Sequence, residues 1–168
     1  MKVLLGLALL LGFIGDTKAT DWQWEGGDSI FLAYVNNSAG NSFGQLCSTD
    51  EGNCIYMLYL DIICSDGAKF PALINSNIGS YGIHLTCAGS FKDGYLFTLT
   101  DFDDADKVAR EADSVGFAMS LESGKFSVNR FDLAGSAAVI DKMIGAASRA
   151  YNSLHEGEAL KEKDVEEI

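Results

Sequence analysis

Residues 54–64, Cys-Ile-Tyr-Met-Leu-Tyr-Leu-Asp-Ile-Ile-Cys, are apolar at almost every position. A run of this length and composition predicts one long β-strand. Because both faces of the strand would be apolar, we expect it to lie at the centre of a sheet. Ten steps of about 3.3 Å would hold its two ends roughly 33 Å apart.

The span of this strand limits how the four cysteines can pair. A disulfide needs Cα atoms within about 7 Å, so Cys54 cannot bond to Cys64 while the strand is intact. The complementary link between Cys47 and Cys87 is excluded with it. Of the two pairings that remain, we favour Cys47 with Cys54, across a polar loop, and Cys64 with Cys87, between neighbouring strands. Two disulfides fit an even cysteine count in an oxidising compartment.

The N-terminus independently predicts such a compartment. Met1-Lys2 precedes an uncharged, mostly apolar run, which Asp16-Thr17-Lys18-Ala19 follows. This is the pattern of a cleavable secretory signal over residues 1–19, because the run is shorter than the roughly 20 residues that cross a bilayer. We therefore expect a periplasmic or secreted protein with one β-rich domain over 20–154 and an acidic, disordered tail over 155–168.

The charge balance narrows the class of partner. The chain has a formal net charge of −12, and removal of residues 1–19 takes away two lysines and one aspartate, which leaves −13. Such a charge repels phosphate backbones and anionic lipid, so we expect no nucleic-acid partner and no binding to a membrane surface. Because the apolar run is short and belongs to the predicted signal, we also expect no membrane insertion after signal cleavage. A basic protein is the expected partner, with a cation as a further option, although acidity can also serve solubility alone.

Turn signals divide the middle of the chain into strands. Residues 29–35 predict the first strand, and Asp66-Gly67 predicts a hairpin that returns the chain through residues 69–74. Pro71 cannot donate a ladder hydrogen bond, so this return strand is predicted at a sheet edge. Asp93-Gly94 predicts a second hairpin. Residues 75–80 are predicted to form a loop, and residues 81–87, 95–100, 115–121 and 126–131 are predicted to form further strands.

Two helices are predicted in the second half. Asp101 and Asp103 can cap a short helix whose apolar residues recur at helical spacing. A longer apolar stripe follows, and we expect it to dock on the domain's own sheet, with a coiled coil as the alternative. The stripe comprises Leu133, Ala137, Ile140, Ile144, Ala147, Tyr151 and Leu154. The pattern predicts an α+β fold, in which a mainly antiparallel β-sheet or sandwich is disulfide-bonded and carries two helices in its C-terminal half.

Residues with catalytic chemistry are few. The only histidines are His84 and His155, and His84 lies in mid-strand, where a hydrogen-bonded strand residue is the simpler interpretation. All four cysteines are assigned to disulfides, and no nucleophile, phosphate-loop or metalloprotease motif is present. We predict no catalytic residue, no metal site and no cofactor. Two carboxylates brought together by folding would leave no mark in the sequence, so a carboxylate-based enzyme stays open.

Two groups of residues are candidates for contact with a partner. The acidic group lies at residues 101–106. It starts like a calcium loop, but Ala105 occupies the third ligand position and excludes that motif. The structural interpretation of this group is an acid-rich helix N-terminus, where the positive end of the helix dipole favours carboxylates. The aromatic group is Trp22 and Trp24. These two residues are predicted to be a core or edge pair, with exposed contact residues as the alternative. The candidates are Asp101, Asp103, Asp104 and Asp106 near one helix N-terminus, and Trp22 and Trp24 in an N-terminal extended segment.

Two stretches resemble known secreted proteins. The segment from Cys47-x6-Cys54 through Cys64-Ser-Asp-Gly-Ala-Lys-Phe-Pro-Ala-Leu-Ile-Asn-Ser to Cys87 resembles small secreted proteobacterial proteins with no assigned activity. The run from Phe102 to Met143, in which Phe131-Asp132-Leu133-Ala134-Gly135-Ser136-Ala137-Ala138 leads the last helix, is similar to the end of the invasion-associated locus B family. That resemblance implies an exported, β-rich protein without enzymatic activity. It transfers no functional residue, and the cysteine placement differs from the family's.

Together these features predict an exported, non-enzymatic protein-binding domain of the bacterial envelope or extracellular space. It would be a host-interaction factor, or an inhibitor or immunity protein for a basic enzyme such as a lysozyme. The alternatives are a secreted enzyme that uses carboxylates and a structural subunit of an envelope assembly. The pattern leaves the oligomeric state open.

Overall fold

The computed structural model of the chain describes residues 21–121 and 124–166, with side chains as far as His155. The predicted signal peptide, residues 1–19, lies outside the described residues. In chain order the elements are β1 Gln23–Gly26, β2 Ile30–Asn36, β3 Ser42–Ser48, β4 Asn53–Leu60, β5 Lys69–Ser76, β6 Gly79–Phe91, β7 Gly94–Leu99, α1 Phe102–Glu111, β8 Ser114–Ser120, β9 Phe126–Asp132 and α2 Ser136–Glu166.

All nine strands belong to one antiparallel sheet, whose strand order is β1-β2-β3-β4-β7-β6-β5-β8-β9. The predicted α+β class with two helices in the C-terminal half is confirmed. Of the two arrangements left open, a sheet or a sandwich, the described residues form the single sheet. Its strands alternate between core and outer positions, since alternate residues of β2, β8 and β9 are buried.

The sheet curls around its core. Phe43 lies on β3, yet its ring centroid is 4.9 Å from that of Phe117 on β8, five positions away in the strand order. The two edges also approach each other, because the indole Nε1 of Trp22 donates to the carbonyl oxygen of Asp132 on β9. One concave face therefore encloses the core, and the opposite face of each strand, the outer face, points away from it.

Helix α2 packs against β1, β2 and β3, on the core side of the sheet. Its residues Ile140, Met143 and Ala147 are buried, which confirms that the first part of the stripe docks on the domain's own sheet. Farther along, Tyr151 and Leu154 are exposed. The helical backbone continues to Glu166, within the segment 155–168 that the composition predicts to be disordered.

The predicted disulfides are confirmed, although the strand used to derive them is shorter than predicted. Cys47 bonds to Cys54 and Cys64 to Cys87, with Cα separations of 4.0 and 6.1 Å. Strand β4 ends at Leu60, so the prediction of a strand reaching residue 64 is wrong. The chain leaves the sheet there because Cys64 is bonded to β6, which is not a neighbour of β4.

The predicted pairing of the return strand is wrong. Strand β5 does not pair with β4 but lies between β6 and β8, so Pro71 is on an internal strand. The turn at Asp66-Gly67 instead runs into β6, because Gly67 N donates to Cys87 O. Pro71 is tolerated because it lies one residue beyond the end of the β5–β8 ladder, whose last pair is Ala72 with Met119.

Two further turns differ in detail from the predictions. Residues 75–80 do not form a loop, because β5 and β6 are joined by the short turn at Asn77 and Ile78. The hairpin predicted at Asp93-Gly94 is confirmed between β6 and β7, but its turn residues are Lys92 and Asp93.

Among residues 21–121 and 124–166, no helix has both the length and the apolar character needed to span a bilayer.

Candidate functional site

Strands β2, β3, β4 and β7 carry apolar side chains on their outer face as well as toward the core. On β2 the buried positions are Phe31, Ala33 and Val35, so the residues between them point outward. The neighbouring strands continue this surface in register. The result is a groove of about 550 Å³, here called the outer groove, lined by Glu25, Ile30, Leu32, Tyr34, Asn36, Ser42, Leu46, Met57, Tyr59, Phe91, Lys92 and Leu96.

Two charged residues mark opposite sides of the outer groove. Glu25 lies on the edge strand β1, where its Oε1 accepts a hydrogen bond of 2.8 Å from the hydroxyl of Tyr34. That hydrogen bond, with burial and the carboxylate charge, raises the pKa of Tyr34, so the tyrosine remains a donor. On the other side, Lys92 lies at the β6–β7 turn, with its Nζ 5.4 Å from the ring centroid of Phe91.

The four predicted acidic residues do not converge on one site. Asp101 occupies the N-cap position of α1, but its side chain makes no capping hydrogen bond, so the prediction that it caps the helix is wrong. It accepts hydrogen bonds from the backbone N–H of His84 and the hydroxyl of Thr100 instead, and thus fixes the start of the helix to the sheet. Asp103 and Asp104 lie in the first turn of α1, as the helix-dipole interpretation expects. None of the four lines the outer groove.

Asp106 is part of an ion-pair network. Its carboxylate receives hydrogen bonds from the Arg110 guanidinium at 2.9 Å and from the Tyr56 hydroxyl at 2.8 Å. Arg110 also donates to Asp141 on α2 at 2.6 Å. Burial opposes the charge of Arg110, but its hydrogen bonds to Asp141 and Asp106 outweigh burial and raise its pKa. The network joins α1 to β4 and to α2, which is a structural role.

The two tryptophans lie at the start of the sheet. Trp22 is buried, and its ring meets Phe43 edge-on at 6.1 Å. It therefore belongs to the core, as the core-pair interpretation predicts, and has little surface for a partner. Trp24 is half-buried beside α2, where the Nζ of Lys142 lies 5.4 Å from its ring centroid.

His84, the histidine considered for an enzymatic role, is exposed on the outer face. His84 is paired with Pro71 and lines none of the four grooves described for this chain. In those grooves only one carboxylate appears, that of Glu25. Within the described part of the chain, no three His, Cys, Asp or Glu side chains are grouped so that they could hold a metal ion.

Sequence reasoning missed the outer groove. The signal was present in β4, where apolar residues on both faces indicate a central strand, and β4 does lie between β3 and β7. Its second apolar face, with Met57 and Tyr59, lines the groove. Only the register of β2, β3, β4 and β7 brings these residues together, and that register includes a long-range pairing with β7.

A buried amide was also missed. Gln45 points inward on β3, between Phe43 and Cys47, and is fully buried. Neither its Oε1 nor its Nε2 has a hydrogen-bond partner among the described residues. It lies on the face opposite the outer groove and does not line it.

No protein-family model matches this chain, and no curated protein sequence matches it. The structure is similar to the crystal structure of invasion associated protein B from Bartonella henselae, with a TM-score of 0.41 and 15% sequence identity. The similarity covers 76% of this chain and 84% of that chain. It is a weak similarity.

Proposed function

We propose that this chain is an exported, non-enzymatic binding protein that contacts a protein partner through the outer groove. The observation that carries the proposal is the exposed apolar surface on a face that no described helix or strand covers. Ile30 is 46% exposed and Phe91 is 54% exposed, and both line a groove large enough to accept side chains of a partner. Contiguous apolar surface of this kind is typical of interaction sites. The two disulfides point to an oxidising, extracytoplasmic location.

Charge supports a basic partner. A net charge of −12, or −13 without residues 1–19, attracts a cationic protein over several ångströms and raises its rate of association. Two roles fit this chemistry: a host-interaction factor, and an inhibitor or immunity protein for a basic enzyme such as a lysozyme. The partner is expected outside the cytoplasm, in the periplasm or beyond the cell.

Two observations favour binding over the alternative functions. A carboxylate-based enzyme would need two acids, or an acid and His84, in one concave site, and the four grooves bring together no such pair. A structural subunit that used the α2 stripe as its interface would need that stripe free. Ile140, Met143 and Ala147 are buried against the sheet of the same chain.

The experiment uses residues 20–168 with both disulfides formed. The protein is mixed with a panel of basic hydrolases, including a lysozyme, and tested for co-elution and for inhibition at low and high salt. Binding to at least one basic protein, weaker at high salt, is expected. No co-elution and no inhibition across the panel at low salt would contradict a basic protein partner.

A matched pair of variants tests whether the outer groove is the contact. Ile30→Ser removes an aliphatic side chain that lines the groove, and Val128→Ser removes a similarly exposed one from β9, outside it. Both positions are exposed, so both variants should fold. Only Ile30→Ser is expected to weaken the complex, and equal weakening by both would place the contact elsewhere.

A further inference from the structure

We infer that the outer groove recognises a partner segment that presents a lysine or arginine to Glu25 and an adjacent aliphatic or aromatic side chain to the apolar floor. This inference rests on the proposed function and specifies the chemistry of its site. It comes from the way one carboxylate and a row of aliphatic residues are aligned across four strands.

The row follows from the sheet register. Glu25 on β1 is the cross-strand partner of Leu32 on β2, Leu32 is the partner of Leu46 on β3, and Leu46 is the partner of Ile55 on β4. Adjacent strands are about 4.8 Å apart, so the carboxylate stands one strand from the first leucine. A side chain that covers Leu32 therefore has a neighbouring group within reach of Glu25.

Glu25 is oriented for a cation. Its Oε1 accepts the hydroxyl of Tyr34 at 2.8 Å, and its Oε2 has no partner among the described residues. The tyrosine restricts the rotamers of the carboxylate before a partner arrives, which reduces the entropy lost on binding. A guanidinium or ammonium group on Oε2 would add a charge-assisted hydrogen bond.

Lys92 does not cancel this preference. It lies at the β6–β7 turn, and β7 is four strand spacings from β1, or roughly 19 Å at about 4.8 Å per spacing. The Debye length at physiological ionic strength is roughly 8 Å, so a cation at Glu25 is screened from Lys92. The net charge of −12 adds a further attraction for cations.

The test uses small probes that contain the two recognised features and do not require the natural partner. The probes are n-hexylguanidinium, which joins an alkyl chain to the cation of arginine, and hexanoate, which joins a similar chain to an anion. Binding is followed by NMR of methionine methyl groups in residues 20–168. Met57 lines the outer groove, whereas Met143 is buried in the core, lines none of the four grooves and serves as the internal reference.

The expected result is a shift of the Met57 methyl signal, with Met143 unmoved, and an affinity about fivefold higher for n-hexylguanidinium than for hexanoate. Glu25→Gln should remove most of this preference and leave only the small part that the net charge supplies. Asp103→Asn makes the same change of net charge on the exposed start of α1 and should preserve it. Equal affinity for both probes, or a preference that Glu25→Gln reduces no more than Asp103→Asn does, would overturn the inference.

Its failure can be told apart from failure of the proposed function. If the probes show the cation preference but no basic protein in the panel binds, the groove chemistry stands and the protein-binding function falls. A basic protein could instead bind through Ile30 with an affinity that Glu25→Gln lowers no more than Asp103→Asn does. In that case the proposed function stands and the role of Glu25 is wrong.

Discussion

At the residue scale, acids that look alike in the sequence have different roles in the structure. The acidic start of α1 could be predicted because helix N-termini favour carboxylates, and this depends only on local order. The role of Asp106 could not, because Tyr56, which donates to it, lies 50 positions away along the chain, and Asp141, which shares Arg110 with it, lies 35 positions away. Glu25 was missed for the same reason, since nothing local links it to Leu32 or Tyr34.

The network around Asp106 predicts how stability depends on pH. Burial, followed by the hydrogen bond to Asp106, raises the pKa of Tyr56 well above the ordinary value of 10.0. Above pH 10 the unfolded chain releases the Tyr56 proton while the folded protein retains it, so the free energy of unfolding falls as pH rises. Tyr56→Phe should remove this part of the fall, about 1.4 kcal/mol at pH 11, as measured by urea unfolding.

Phenolate absorbance provides the control for this prediction. The chain has six tyrosines, so in urea at high pH Tyr56→Phe should lower the absorbance by one sixth. In the folded protein near pH 11 the same substitution should leave the absorbance unchanged, because Tyr56 is still protonated there. A clear decrease in the folded state would show that Tyr56 is accessible and ionised.

At the scale of elements, local patterns were reliable and long-range pairing was not. The α1 spacing and the β8 alternation predicted real elements, because the burial of each depends on its own periodicity. Strand β9 was also predicted, but its apolar Phe126 and Val128 are exposed and its Asn129 is buried. The Asp66-Gly67 turn predicted a hairpin with β4, but the chain passes to β6 and β8 instead. A turn signal specifies a reversal of direction, whereas the strand that pairs after it is chosen by packing and by the Cys64–Cys87 link.

Gly94 shows how a correct turn signal can hide a packing constraint. The pair Asp93-Gly94 predicts a turn, but Gly94 is the first residue of β7, and a Cβ atom there would lie 2.7 Å from the ring of Tyr59. Gly94→Ala should therefore lower the free energy of unfolding by about 1–3 kcal/mol in urea unfolding. Combining it with Tyr59→Ala should recover part of that loss, because the two sites share one space.

A second strand glycine serves as the control. A Cβ atom added to Gly82 would meet no neighbouring heavy atom within 4 Å, so Gly82→Ala should leave the stability the same or slightly higher. If Gly94→Ala were as harmless as Gly82→Ala, the close contact with Tyr59 would not be a constraint on this hairpin.

At the scale of the whole molecule, the cysteine count, the charge and the N-terminal pattern predict an exported, cross-linked domain, and the disulfides agree. These features are sums over the chain or short motifs, so they do not depend on tertiary contacts. The curl of the sheet does, because it brings Phe43 to Phe117 across strands distant in sheet order. The outer groove depends on the same kind of long-range pairing, so the residue pattern of a single strand does not predict it.

The two disulfides should contribute unequally to stability. The Cys64–Cys87 link spans 23 positions and the Cys47–Cys54 link spans 7, so chain entropy predicts about 3.5 and about 2.5 kcal/mol respectively. The positions of the cysteines in the structure increase the expected difference between the two stability contributions. Cys47 and Cys54 are already opposed in the β3–β4 ladder, whereas Cys64 lies between strands and is fastened to the sheet by its disulfide.

Replacing Cys64 and Cys87 by alanine should thus lower the free energy of unfolding by at least about 1 kcal/mol more than the same replacement of Cys47 and Cys54. In a domain of this size the gap corresponds to a melting temperature roughly 2–6 °C lower. Paired replacement leaves no free thiol, so exchange cannot obscure the comparison. Loss of both links would remove about 6 kcal/mol, a large part of the 5–15 kcal/mol typical of domains, so expression in a reducing cytoplasm should give poorly soluble protein. Equal melting temperatures for the two paired variants would mean that the ladder and the 61–68 segment hold these cysteines equally well without their bonds.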